Sequence, residues 1–500
     1  MFYAIMKVLQ INAATQTNKN RIISESKPCT NFSIQTAEIR SFSKVSPLNF
    51  KAVLFQHGLN TIEKKEIENL IDNYQEDNEK IKLLGKGTFG EAYKIKLRKK
   101  GDAVVKIIRP EIEKLCYGGG DLKKESEVLK NIPPSCKRTQ QLIDYFETDK
   151  RSYLISSYVR GNTLSKQNDL SQKLLDSITD EIYKYDANGL MFYDLNPNNI
   201  LVENDKAGFI DFEFMEYKKQ NQKDFSALND YHHISRNLYH PQKSNINSFE
   251  NRCIGEFIQK IEKNGEAQKA KELVKRYLKS LSKYHENMAE YYEQTKNGVF
   301  SDINDKAINY EKTLSKIFKE PNKEIVDIEH DLISMRYTNL NYHLYIHRKN
   351  EGKLLENDLE NYGDFDIYIE KMNNLAKGIS QKLDNLSKQE KDSDIQNYCK
   401  INKFYIENFL RKNANKNYYE LRQNPQINKY LETISKILIS KFGTNQKDKM
   451  PEVNMETFNK EYKSIIDKFK DNKKVHDFCD DIKFILDNTL DFIKKVFIKN

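Results

Sequence analysis

No apolar run in this chain approaches the roughly 20 residues that cross a bilayer, and its start, MFYAIMKVLQINAATQ, is too short and interrupted for a secretory signal. A soluble protein without a transmembrane segment is expected. Its six cysteines, at 29, 116, 136, 253, 399 and 479, form no C-x-x-C pair, a pattern that suits reduced thiols in a cytoplasmic setting and offers no zinc site. Its nine histidines show no H-E-x-x-H spacing, so even the His232-His233 pair reads as surface. Charge of one sign is scarce too: 82 Lys and Arg stand against 73 Asp and Glu, and a net +9 spread this way describes a solvated Lys-rich surface, with no nucleic-acid partner implied. No repeat of fixed length emerges. At 500 residues the chain exceeds what one core organises, and two or three domains are expected.

What the chain does contain is centred on MFYDLNPNN, Met191 to Asn199, followed by ILVENDKAGFIDFEF. Asp194 and Asn199 lie five residues apart, and Asp211 ends a second apolar run. Magnesium takes oxygen ligands, which the Asn199 amide and Asp211 carboxylate supply, while a carboxylate outside the metal shell, Asp194, can orient an attacking hydroxyl. Upstream, IKLLGKGTFGEAYKI reads as strand, glycine turn and returning strand, with Gly85, Gly87 and Gly90 free of side chains that would keep backbone amides from a phosphate. A third strand, AVVKII, carries Lys106 in an apolar run. The next helix offers Glu125 as its ion-pair partner, because Leu129 places an apolar contact one turn later; Glu127 competes.

Together these parts resemble the protein-kinase-like superfamily, whose H-R-D-x-x-x-x-N and D-F-G appear as Phe192-Tyr193-Asp194 to Asn199 and as Asp211-Phe212-Glu213. The resemblance implies an α+β bilobal fold with a five-stranded N-lobe and a helical C-lobe, and ATP and Mg2+ as cofactors. Strands over Gln141 to Glu147 and Ser152 to Val159 complete the small lobe. By the same resemblance Ser156 stands at the entrance to an adenine pocket, Ser157 to Val159 supply backbone partners for the adenine edge, and Lys106 holds nucleotide phosphate. The stripe Leu175, Ile178, Ile182 and Tyr185 predicts a helix over Gln172 to Ala187 leading into the catalytic loop.

The departures are specific. Phe192-Tyr193 replaces the usual His-Arg, so the Arg that reads a phosphorylated activation loop is missing. Asn196 stands where Ser/Thr kinases place a Lys on the γ-phosphate, a neutral catalytic candidate. Glu213 replaces the Gly of D-F-G and adds a third candidate metal ligand; the IDFE string is similar to choline- and aminoglycoside-kinase relatives. No A-P-E segment follows. Asp224, preferred over Asp230 because Phe225 and Leu228 are spaced for a buried face, is expected to brace the catalytic loop.

Residues 1–60 read as a poorly ordered leader whose composition resembles the export signals of secreted bacterial effectors and, weakly, a transit peptide. The catalytic domain is placed at 75–250, its C-lobe extending to about 300, and an all-helical bundle at 300–500, with breaks near Lys319 to Pro321 and Gly443 to Pro451 and a partner-binding role open to it. The expected function is transfer of the ATP γ-phosphate to a protein Ser or Thr. The alternatives are a small-molecule kinase and a pseudokinase scaffold, and intact Lys106, Asp194, Asn199 and Asp211 speak against the last.

Overall fold

The computed structural model describes residues 58–76, 78–87, 90–98, 101–108, 121–192, 195–213, 215–217, 245–295, 305–350, 352, 365–413, 421, 424, 427 and 455–497. Residues 1–57 of the leader, with Cys29, and Cys116, Asp194, Asp224, Asp230, His232-His233 and the Gly443 to Pro451 break fall outside them.

The chain first forms helix α1 (Thr61–Asp72), started by Asn60, whose side chain accepts from the Ile62 and Glu63 amides while Glu63 caps in return. Strands β1 (Ile81–Lys86), β2 (Gly90–Leu97), β3 (Gly101–Ile108), β4 (Leu142–Glu147) and β5 (Ser152–Ser157) build one antiparallel sheet in the order β1-β2-β3-β5-β4. Its side chains alternate as a two-residue period requires. Ala103, Val105 and Ile107 of β3 join Tyr93, Ile95, Tyr153 and Ile155 in a core capped by Ile67 and Ile71 of α1. Lys106 therefore points to the opposite face, where it pairs across the sheet with Ala92 and Leu154. Helix α2 (Leu122–Leu129) packs beside β4 and β5.

The second layer is helical. After the short strand β6 (Asn162–Thr163), helix α3 (Gln172–Ala187) begins at a Ser171 cap and buries Leu175, Ile178, Ile182 and Tyr185 as the spacing predicts. Strand β7 (Leu190–Phe192) pairs with β10 (Met215–Tyr217), and β8 (Ile200–Glu203) lies between β6 and β9 (Lys206–Phe209). Helix α4 (Asn245–Phe249) runs through a π-helical turn, Glu250–Ile254, into α5 (Gly255–Lys263). Long helices follow: α6 (Ala267–Thr295), α7 (Asp305–Lys319), α8 (Lys323–Asn350), α9 (Phe365–Gln389), α10 (Ser393–Asn413), α11 (Met455–Lys468) and α12 (Lys473–Phe497). The break expected near Pro321 separates α7 from α8.

Ile254, Phe257, Ile258 and Ile261 are buried, as are Met372, Ile379, Leu383 and Leu386 of α9 and Val475 and Phe478 of α12. These side chains belong to a single apolar cluster that runs from Leu122 of α2 to Cys479 of α12. The architecture is an α+β kinase fold with an all-helical region continuing from its C-lobe. No described helix is long and apolar enough to cross a membrane. Among the described residues, Cys136, Cys253, Cys399 and Cys479 are buried and form no disulfide.

Candidate active site

Four elements converge where the sheet meets the helical layer. Lys106 leaves β3 and its Nζ lies 2.9 Å from Glu125 Oε2 on α2, 2.8 Å from Asp211 Oδ1 and 3.4 Å from Glu213 Oε2. Glu125 is the α2 carboxylate that faces inward; Glu127 is exposed. Burial by itself would favour the neutral amine, but Glu125, Asp211 and Glu213 outweigh it and hold the Lys106 ammonium above its ordinary range. Complete burial pushes the Glu125 carboxyl up, and Lys106 pulls against it. A second anchor fixes Glu125, since its Oε1 accepts from the Phe212 amide at 3.2 Å.

Asp211 sits at φ +64, a left-handed conformation that side chains rarely adopt and that persists only where neighbours hold it. Its flanks are held. The Ile210 amide donates to the Asn199 carbonyl at 3.0 Å, and Phe212 is fully buried against Phe192 and Tyr185. Asp211 itself keeps its side chain 43% exposed. Asn199 closes a 3-10 turn, Pro197–Asn199, and is buried. Asn196 caps that turn by accepting from the Asn198 amide at 2.9 Å. The structure thus gives this residue a local task in shaping the loop. Asp194 and Tyr193 lie outside the described residues.

At the other end, Gly85 is exposed beside a register shift in β1, and the Gly87 amide donates to the Gly90 carbonyl at 2.8 Å to close the turn. Gly90 has a packing reason beyond phosphate access: a Cβ there would overlap the Ile107 carbonyl of β3. Ser157 ends β5, and Val159 lies on the connection leaving it. Ser157 exchanges hydrogen bonds with Gln141, and Val159 is buried over Gly208, where a Cβ would strike its side chain and the Arg138 carbonyl.

Two residues that hold this site were missed by the sequence reading. Asn245 is fully buried; its Oδ1 accepts from the Phe192 amide at 2.6 Å while Nδ2 donates to the Leu190 carbonyl and to Asp186. It is the described side chain that braces the strand entering the catalytic loop, the task expected of Asp224. Gln140 links Ser156 to the Asp211 amide. Asn245 stands just ahead of an apolar stripe, a position that names no partner for its amide. Gln140, one of two adjacent glutamines between elements, carried no signal.

Residues 78–241, about a third of the chain, match the family described as protein kinase domain. The chain is also similar to the Arabidopsis thaliana protein named serine/threonine-protein kinase AtPK1/AtPK6, at 27% identity over 139 residues. That match covers 26% of this chain and 30% of the relative's length.

Proposed function

We infer that this chain is an ATP-dependent protein kinase that transfers the γ-phosphate to a Ser or Thr hydroxyl. One observation carries the reading. A half-buried strand lysine is held between an inward helix carboxylate and a second carboxylate on a left-handed turn, the arrangement that keeps a cation beside exchangeable oxygen ligands. The donor set suits the group: Asn199, Asp211 and Glu213 offer hard oxygen atoms, and three carboxylates around one ammonium leave negative charge for a divalent cation to neutralise. Bound magnesium would neutralise charge developing on the transferred phosphoryl group. Lys106, steadied by Glu125, would hold phosphate oxygens once it releases Asp211. Gly85 and Gly87 would admit backbone amides to the phosphates, Ser157 and Val159 would meet the adenine edge, and Asp194 would orient the acceptor hydroxyl.

A small-molecule acceptor is the second reading, favoured by Glu213, whose carboxylate sits beside Lys106 where the protein-kinase pattern has glycine. Purified chain with labelled ATP and magnesium, assayed on mixed proteins and on a panel of sugars, amino alcohols and antibiotics, separates the two. Label in protein, lost in Lys106→Ala and Asp194→Asn, supports the first. Label confined to a small molecule overturns it in favour of the second, and no label with either overturns both.

A further inference from the structure

Gln140 lies in the stretch before β4, buried between the two ends of the candidate nucleotide site. Its Nε2 donates to Ser156 Oγ at 2.7 Å, its Oε1 accepts from the Asp211 amide at 3.2 Å, and its main-chain amide donates to the Phe209 carbonyl at 3.0 Å. The amide orientation is fixed, because only the oxygen can accept from a main-chain N–H. Three consecutive amides of the turn are thereby held by three separate elements. Ile210 donates to the Asn199 carbonyl, Asp211 to Gln140 and Phe212 to Glu125. The middle one belongs to the residue in the left-handed conformation, where holding matters most.

We propose that Gln140 is a positioning residue for phosphoryl transfer: by holding the Asp211 amide it sets the direction of that carboxylate toward a divalent cation, and through Ser156 it ties the turn to the adenine end. The inference rests on the phosphotransferase reading for its consequence, though not for its geometry. Without the Gln140 oxygen, Asp211 keeps its side chain but can relax toward an ordinary right-handed conformation, which swings the carboxylate away from Asn199. Nucleotide binding without metal does not pass through that carboxylate.

The test uses the full chain and has two arms. Backbone hydrogen exchange without nucleotide or metal should show the Asp211 amide protected, and Gln140→Met should speed its exchange about tenfold, the loss expected for one hydrogen bond. Gln140→Glu keeps an acceptor and should keep the protection. In the second arm, Gln140→Met should raise the magnesium concentration for half-maximal transfer about tenfold, with affinity for metal-free ATP within about twofold. Unchanged Asp211 exchange in Gln140→Met overturns the proposal. So does equal acceleration in the Met and Glu variants, or an unchanged magnesium requirement. If Gln140→Met does not fold, the wild type decides, since an Asp211 amide exchanging as freely as an exposed one is incompatible with the proposed hold. A wild type that binds no ATP defeats the phosphotransferase reading, and the exchange arm then judges Gln140 alone.

Discussion

The two ends of the molecule treat charge in opposite ways. Around Lys106, three carboxylates gather from α2 and the turn after β9, but one of them, Asp211, stays 43% exposed and able to change partners. In the helical region the pair Glu250–Arg336, at 2.5 Å, is sealed with side chains 7% and 5% exposed. Nearby, His285 contacts a fully buried Glu311 at 2.6 Å, and Tyr398 donates to buried Glu329. Glu250, Arg336, His285, Glu329 and Tyr398 border a cavity of about 50 Å3, room for ordered waters. Perturbed ionisation alone would mark the helical cluster as the more catalytic of the two. Access reverses that ranking: a group that cannot meet a substrate or exchange its partner acts on stability and not on turnover.

The helical cluster is also where the two regions are joined. Glu250 belongs to the π turn that continues from α4, whose first residue, Asn245, holds the strand before the catalytic loop. Arg336 reaches it from α8, and Tyr284 of α6 donates to Asp186, the same carboxylate that anchors Asn245. Removing one partner from a buried pair leaves an uncompensated charge. Arg336→Met should therefore cost about 3–5 kcal/mol in urea unfolding, and adding Glu250→Leu should recover much of it. A chain ended at residue 300 lacks Arg336 and the apolar cover of α7 and α8, and is expected to aggregate. Should it stay monomeric and bind ATP, the boundary placed near 300 is a domain boundary and the continuous core is not cooperative.

Asp211→Asn tests the exposed end. The substitution removes a charge from a position near water, so the fold should persist with an unchanged melting temperature while transfer falls roughly a hundredfold or more, a rise of about 3 kcal/mol in the barrier. Matching losses of stability and activity would place Asp211 with the sealed charges and erase the contrast. Turnover equal to wild type would remove it from the site altogether.

Glu329 provides the converse test. Burial raises its carboxyl from the ordinary 4.5 to about 7, with Arg336 opposing and Glu250 adding to the rise. The folded chain thus keeps a proton that the unfolded chain releases between those values. Stability from this group is complete below about pH 4.5, falls as pH rises, and is lost above about 7, where the ionised carboxylate costs up to about 3 kcal/mol. Glu329→Gln preserves an acceptor for Tyr398 and should match wild type at pH 5 and exceed it at pH 8. Unfolding free energies of the wild type that stay level from pH 5 to 8 contradict the assignment.

How far each region could be read from sequence follows from the physics of its contacts. Lys106, Glu125 and Asp211 were legible because each sits on an element with a strong period: a strand lysine in an apolar run, a helix carboxylate one turn from Leu129, an Asp closing a second strand. The α3 helix was legible to its ends because its cap and stripe agree. Gln140 and Asn245 were not, since each works through an amide that bonds equally well with main chain anywhere, and only the folded geometry selects the partner. The left-handed turn at Asp211 was illegible for a related reason. Nothing local favours it, and the three holds span 11, 71 and 87 positions. In the helical region the apolar stripes were visible, but the pairing of Glu250 with Arg336 spans 86 positions.

The glycine turn offers the finest separation of fold from function, within one motif. Gly90 lies where β2 presses on β3, and a Cβ there would overlap the Ile107 carbonyl, a main-chain atom that cannot swing aside. Gly85 has open space: its two chain neighbours aside, no described atom lies within 4 Å of where its Cβ would stand. Gly90→Ala should lose about 1–3 kcal/mol of stability by overpacking, lowering ATP affinity only as far as the strand pair is displaced. Gly85→Ala should stay within about 0.5 kcal/mol of wild type, as surface changes do. Any fall in ATP affinity it causes must then come from the phosphate side, where an added methyl keeps the Gly85 amide from its ligand. Equilibrium unfolding paired with ATP titration reads both. If Gly85→Ala leaves ATP affinity untouched, the turn's glycines answer to sheet packing alone, and phosphate recognition must be sought at Lys106.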